Sequence, residues 1–265
     1  MTRYFEAQTN NGTVQIADDI KLLRLEQVLT LGDYFARDEN VRYRIKDKSD
    51  VDYTAHCYDL PVYQNSLLYV CNPTDTPAHV FTCSSVNVFD LHDFKITPIG
   101  LKTVVVVSNI EKSIADTFKV YVFGESVLPY CHCGIECYNE NGDKVFNSDA
   151  KVLKLLNITN FKHFTFTSGA DTRNPEGYQY IYKTHSYNGK TIGMWINLTS
   201  VAQWVGHYRD GFWALPILTK NSLTVTMADA TYNLEANRSG YFKAAAKHFE
   251  EENYTMYSIA DLTNY

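Results

Sequence analysis

The chain has little of what a catalyst, a nucleic-acid binder or a membrane protein needs. It contains no Gly-x-Ser-x-Gly elbow, no glycine-rich phosphate loop, no His-Glu-x-x-His and no calcium loop of the Asp-x-Asp-x-Asp-Gly type. Basic residues are outnumbered, 24 Lys and Arg against 30 Asp and Glu, and the formal net charge is −6. That balance builds no basic surface for a phosphate backbone, so nucleic-acid binding is not expected. No apolar run approaches the length that spans a bilayer, and no membrane insertion is expected. The opening residues, Met1 to Glu6, lack the basic, apolar and small-residue succession of a secretion signal. The expected place of synthesis is a cytosol-like compartment, in which the sequons starting at Asn11, Asn157, Asn197, Asn237 and Asn253 are plain polar loop residues.

Cysteine is absent after residue 137. The six present are Cys57, Cys71, Cys83, Cys131, Cys133 and Cys137. A chain long enough for a real core does not need a disulfide framework, so free thiols are expected. Read as a strand, the run from Cys131 to Cys137 places Cys131, Cys133, Ile135 and Cys137 on one face and His132 on the other. Zinc knuckles use a different spacing, in turns, and neither metal nor cofactor is expected.

What the chain does have is a repeat. Phe5–Leu25 and Ile135–Leu155 align without a gap. They share Glu6 with Glu136, Asn11 with Asn141, Gly12 with Gly142, Asp19 with Asp149, Lys21 with Lys151, Leu23 with Leu153 and Leu25 with Leu155. Asn11-Gly12 and Asn141-Gly142, each between alternating apolar and polar residues, predict two-residue hairpin turns, because such turns need positive φ. A second echo sets Pro98, Ile99, Lys102 and Val104–Val107 against Pro216, Ile217, Lys220 and Leu223–Thr226. Self-similarity at half the chain length points to a scaffold of like modules.

Short β-rich runs punctuated by Pro61, Pro73 and Pro77 continue through the first half, where no helix pattern appears. The expected fold class is all-β, as two tandem β-sandwich-like domains with one short C-terminal helix. The domains are 1–130 and an aromatic-rich 131–265, with an alternative boundary near 157. The helix is expected at Tyr241–Glu252, where Phe242, Ala245, Ala246 and Phe249 share one side. The alternating tail after it, Tyr254–Tyr265, reads as a strand that pairs with another strand, with a neighbouring subunit as the expected place of its partner.

Aromatic residues crowd the second half. Large rings fill sandwich cores, but the turn-rich stretch from Trp204 to Trp213 makes Trp204, Tyr208 and Trp213 a possible binding surface. Among the scattered histidines, His56 beside Cys57 and Asp59, and His92 beside Asp93, are the candidates for acid–base chemistry.

The opening segment, with Phe5, Asn10, Gly12, Ile16 and Asp18, and the later segment from Gly134 to Ser148 resemble a family of small tailed-bacteriophage proteins found among tail genes. Phe146-Asn147-Ser148 stands where that family usually has Phe-Asp-Ser. The resemblance implies a virion component near the tail tip, collar or fibre attachment. It would be assembled in the host cytoplasm, would have no enzyme activity, and would take other phage tail proteins as partners. A receptor- or glycan-binding module of the tail, contacting a host surface through the aromatic cluster, is the alternative, and a hydrolase using His56 or Asp59 is a third reading. Assembly proteins close into symmetric rings, so a homo-oligomer, a trimer or hexamer, is expected.

Overall fold

The computed structural model describes residues 4–9, 12–17, 23–45, 51–61, 63, 66–90, 95–125, 134–138, 141–162, 183–195, 202–205, 210–229 and 254–265. Nearly all of them are extended. The first half supplies β1 (Tyr4–Thr9), β2 (Gly12–Ala17), β3 (Arg24–Thr30), β4 (Ala36–Ile45), β5 (Val51–Leu60), β6 (Leu67–Cys71), β7 (Ala78–Asp90), β8 (Lys95–Ser108) and β9 (Lys119–Gly124). The second supplies β10 (Glu136–Tyr138), β11 (Lys144–Asn147), β12 (Leu155–Lys162), β13 (Lys183–Ser186), β14 (Ile192–Trp195), β15 (Ala202–Val205), β16 (Asp210–Leu218), β17 (Ser222–Asp229) and β18 (Tyr254–Asp261). Branched and aromatic side chains, such as Val104–Val107 in β8, favour this pleated, half-buried geometry. The architecture is all-β and sandwich-like, as expected.

One helix, α1 (Lys112–Ala115), interrupts the strands of the first half, against the expectation of none there. Four residues are too few to show helical periodicity in a sequence. The helix expected at Tyr241–Glu252 lies outside the described residues.

Two large antiparallel sheets carry the fold. The first runs β12-β18-β14-β6-β9-β3. The second runs β13-β17-β4-β5-β8-β7-β16-β15, and an added β16–β17 pairing closes six of its strands into a ring. The tail strand β18 finds its partners, β12 and β14, within the chain and not in the neighbouring subunit expected for it.

The main core lies between the sheets. From the first it takes Leu29, Val70, Val120, Val122, Ile192, Met194 and Ile259, and from the second Tyr58, Val80, Val105, Val107, Leu218, Leu223 and Val225. Each large side chain fully removed from water contributes about 1.5–3 kcal/mol. A second core occupies the other face of the six-stranded sheet, with Tyr69, Cys71, Tyr121, Phe123, Ala260 and Leu262 at its centre. Strand alternation produces both. Along β9, Val120 and Val122 enter the first core while Tyr121 and Phe123 enter the second.

The pairings repeat as the sequence does. In chain order β3, β5, β6, β7, β8 and β9 correspond to β12, β13, β14, β16, β17 and β18. In the first set β9 pairs β3 and β6, and β8 pairs β5 and β7. In the second, β18 pairs β12 and β14, and β17 pairs β13 and β16. A β-bulge falls at the same place in both, between Leu25 and Gln27 on β3 and between Leu155 and Asn157 on β12. Bulges fix twist and register and are not chance defects.

The expected boundaries, near 130 or near 157, separate these sets in sequence but not in space. Strands of the two sets are neighbours in both sheets, β6 beside β14 and β7 beside β16. Each set completes the other's sheets, and both fill the one main core.

Candidate functional site

The repeated segments form two ribbons, β1–β2 and β10–β11, each a two-stranded sheet of its own. Their turns depart from the expected Asn-Gly type. Thr9 pairs with Gly12, so Gly12 is the first residue of β2 and not a turn residue. Asn11 lies outside the described residues. In the second ribbon Tyr138 pairs with Lys144, and Asn141 and Gly142 sit in a longer connection beside a bulge. Gly142 has φ +83, the left-handed conformation that an added Cβ disfavours. The extra loop residues shift the register, so the two ribbons are alike in direction but not in pairing.

Just beyond the ribbons the two copies meet. The Leu25 amide donates to the Lys151 carbonyl at 2.8 Å, the Leu153 amide donates to the Leu23 carbonyl at 2.9 Å, and Arg24 stands opposite Val152. Leu23 and Leu153 are the same position of the repeat. The contact is therefore local twofold pairing of like with like, and it brings the two ends of the six-stranded sheet together.

A second such contact lies on the far side of that sheet. Leu25 faces Phe123, which faces Leu67, while the matching Leu155 faces Ala260, which faces Gly193. Two residues further along β6 and β14 come Tyr69 and Trp195, and these pair with each other. Leu23, Leu25, Leu153, Trp195 and Tyr265 pack against the second core. Edge-to-face rings fill it, Tyr69 to Phe123 at 5.8 Å and Phe123 to Tyr265 at 5.6 Å between centroids.

The polar groups of this core are tied off. Tyr69 Oη and Ser258 Oγ are 2.9 Å apart, and the Tyr265 hydroxyl donates to the Val152 carbonyl. Burial pushes the Tyr265 phenol up to about 12, with Asp261 adding to the effect. Burial likewise pushes the Cys71 thiol up to about 12. Burial raises Asp261, but hydrogen bonds from Lys190, at 2.5 Å, and from Thr263, with the Lys190 charge, together outweigh it and hold the carboxyl below its ordinary value.

A polar cluster sits on the ringed sheet. His56 and Asp38 are direct cross-strand partners, their Nδ1 and Oδ1 2.7 Å apart, and His56 Nε2 lies 3.1 Å from the Ile110 carbonyl oxygen. These two contacts hold the ring between β4 and the turn that follows β8. The Tyr58 hydroxyl donates to Asp116 at 2.7 Å, and Lys112 Nζ reaches the two Asp116 oxygens at 2.7 and 2.9 Å. Burial drives the Tyr58 phenol upward, reinforced by Asp116. Burial raises Asp116 as well, but the hydrogen bonds from Lys112 and Tyr58 outweigh it and hold the carboxyl low. The cluster fastens α1 and the turn at Asn109, whose φ is 62, onto β5.

The sequence neighbours of His56 do not join it. Alternation along β5 sends Cys57 and Asp59 to the opposite face, and Asp38 and Asp116 take the places that adjacency suggested for them. Eighteen residues separate Asp38 from His56, and no local pattern marks such a pair. His92 and Asp93 lie outside the described residues. Gly134, at φ 150, and the start of β10 at Glu136 break the strand expected over Cys131–Cys137. Cys57 and Cys71 are buried and Cys137 is partly exposed.

Of the aromatic candidates, Trp204 and Trp213 belong to neighbouring strands. Trp204 on β15 is opposite Gly211, and Trp213 on β16 is opposite Ala202. Tyr208 lies outside the described residues. No protein-family model, curated protein or solved structure matches the chain, so its own geometry is the guide to what it does.

Proposed function

We propose that the chain is a structural component of a tailed-bacteriophage virion, at the tail tip, collar or fibre attachment, acting by protein–protein assembly and not by catalysis. Its partners are other phage tail proteins and further copies of itself, as a trimer or hexamer, assembled in the host cytoplasm. The observation that carries this reading is the duplication, two like sets of strands closed on each other around shared cores, which makes a stiff building block. The polar cluster at His56 supports it, since those groups satisfy one another within the scaffold. Mass spectrometry of purified particles tests the reading, with gold-labelled antibody to place the chain by electron microscopy. Absence from particles overturns it.

The glycan- or receptor-binding alternative draws on Trp204, because β15 ends the order of the eight-stranded sheet. Glycan-array binding that is lost in Trp204→Ala, Tyr208→Ala or Trp213→Ala would favour it.

A further inference from the structure

We propose that copies of the chain join head to tail, the outer edge of β3 on one copy pairing with the outer edge of β12 on the next. The proposal rests on the assembly reading above and names its interface.

β3 and β12 are the end strands of the six-stranded sheet. Among the described strands β3 pairs only with β9, and β12 only with β18. An unpaired edge is a template for another strand unless it is blunted. The bulges blunt one end of each edge and leave the run from Val28 on β3, and from Ile158 on β12, in regular ladder geometry.

Val28 and Ile158 are the same position of the repeat, and both are exposed, at 41% and 57%. One exposed aliphatic residue is ordinary. A branched aliphatic at the same exposed position of both edges is a stronger signal, because even buried equivalent positions have diverged in places, Tyr69 against Trp195 and Phe123 against Ala260. Leu155, 50% exposed, adds to the β12 edge.

A second copy is the occupant because this contact exists once already. Within the chain, Leu23–Leu25 leading into β3 pairs with Lys151–Leu153 leading into β12. The two edges continue directly from that interface. Since the pairing there is antiparallel, β3 and β12 leave it in opposite directions and present their edges at opposite ends.

The chain's own contact selects which edges meet, because there the segment leading into β3 lies against the segment leading into β12. A heterologous contact of this kind closes into a ring when the rotation allows, with backbone hydrogen bonds supplying the adhesion.

Sedimentation velocity of the full chain tests the proposal. The wild type is expected to sediment as a ring of three or six. Val28→Lys and Ile158→Lys, each at an exposed site, should retain the wild-type circular-dichroism spectrum and raise the half-assembly concentration by about tenfold or more. Ile158→Thr, which keeps the branch at Cβ, should weaken assembly less. A mixture of the two lysine variants keeps one intact β3 edge and one intact β12 edge, so it should yield a one-to-one dimer and no ring. A monomeric wild type, lysine variants that assemble normally, or a mixture that stays monomeric each overturn it. If the chain is found in particles while Ile158→Lys still assembles, the edge contact falls and the virion reading stands. If the variants behave as expected while particles lack the chain, the reverse holds.

Discussion

Tyr69 and Trp195 face each other across the seam between β6 and β14, and they are the same position of the two halves. Tyr69 is buried in the second core, its hydroxyl bonded to Ser258 on β18, a strand of the other half. One side chain therefore joins the halves twice, by packing and by a hydrogen bond.

Removing that ring should be costly. Tyr69→Ala is expected to destabilise the chain by about 3–5 kcal/mol, the range for deleting a buried aromatic. Tyr69→Phe, which deletes only the hydrogen bond, should cost about 1 kcal/mol. Urea midpoints of the two variants check this, and equal losses would mean that the ring does not fill the seam.

Asn72 should be as sensitive as a core residue. It is fully buried on the connection between β6 and β7, where its amide nitrogen donates to the Thr76 and Leu218 carbonyls and its oxygen accepts from the Thr74 amide and hydroxyl. Asn72→Ala leaves the buried Leu218 carbonyl without this donor and should cost about 2–3 kcal/mol. Chemical denaturation measures it.

Acid should weaken the fold through Asp116 and Asp261. Both carboxyls are held below their ordinary value in the folded chain. The unfolded chain therefore binds their protons more tightly, and their contribution is complete above the unfolded carboxylate pKa of about 4. It is lost as pH falls from there through the lower folded values. Asp261→Asn should flatten the decline in melting temperature between about pH 5 and pH 3. Asp116, about a third of whose side chain is exposed, should matter less because water screens it.

Alkali acts through groups shifted the other way. Cys71 and Tyr265 are raised to about 12 by burial. The fold thus favours their protonated forms, and the stability they add is complete below the unfolded thiol pKa of about 8.5 and phenol pKa of about 10. It disappears as pH climbs through the folded values. At pH 8 a thiol reagent followed by peptide mapping should label Cys137 in the native chain and reach Cys71 only after unfolding. Native labelling of Cys71 would contradict its burial.

Sequence pattern alone reaches the all-β class and the duplication, but the duplication shows over Phe5–Leu25 and Ile135–Leu155 only. Those segments hold turns and strand ends, where Asn, Gly, Asp and Lys are chosen for backbone reasons that leave few substitutes. Inside the sheets a position needs little more than suitable volume, so Tyr69 drifted to Trp195 and Phe123 to Ala260 while the pairings stayed the same. The second echo shows the limit of reading by eye. Val104–Val107 and Leu223–Thr226 do lie on corresponding strands, β8 and β17, whereas Pro98 is on β8 and Pro216 on β16. The sharing of sheets between the halves is illegible locally because a strand's composition says that it will pair, not with what. The Asp38–His56 pair stayed hidden for the same reason, since strand adjacency put Cys57 and Asp59 in view instead.

The placement of β18 has a consequence for how the polypeptide acquires its structure. This segment slots between β12 and β14, and β14 in turn lies against β6 from the opposite half. During translation, residues up to Trp195 can therefore emerge from the ribosome with a gap in the sheet that a segment more than fifty residues downstream must fill. Contacts so distant along the chain form slowly, and until they do, Tyr69 and its neighbours remain open to misassembly with other nascent chains.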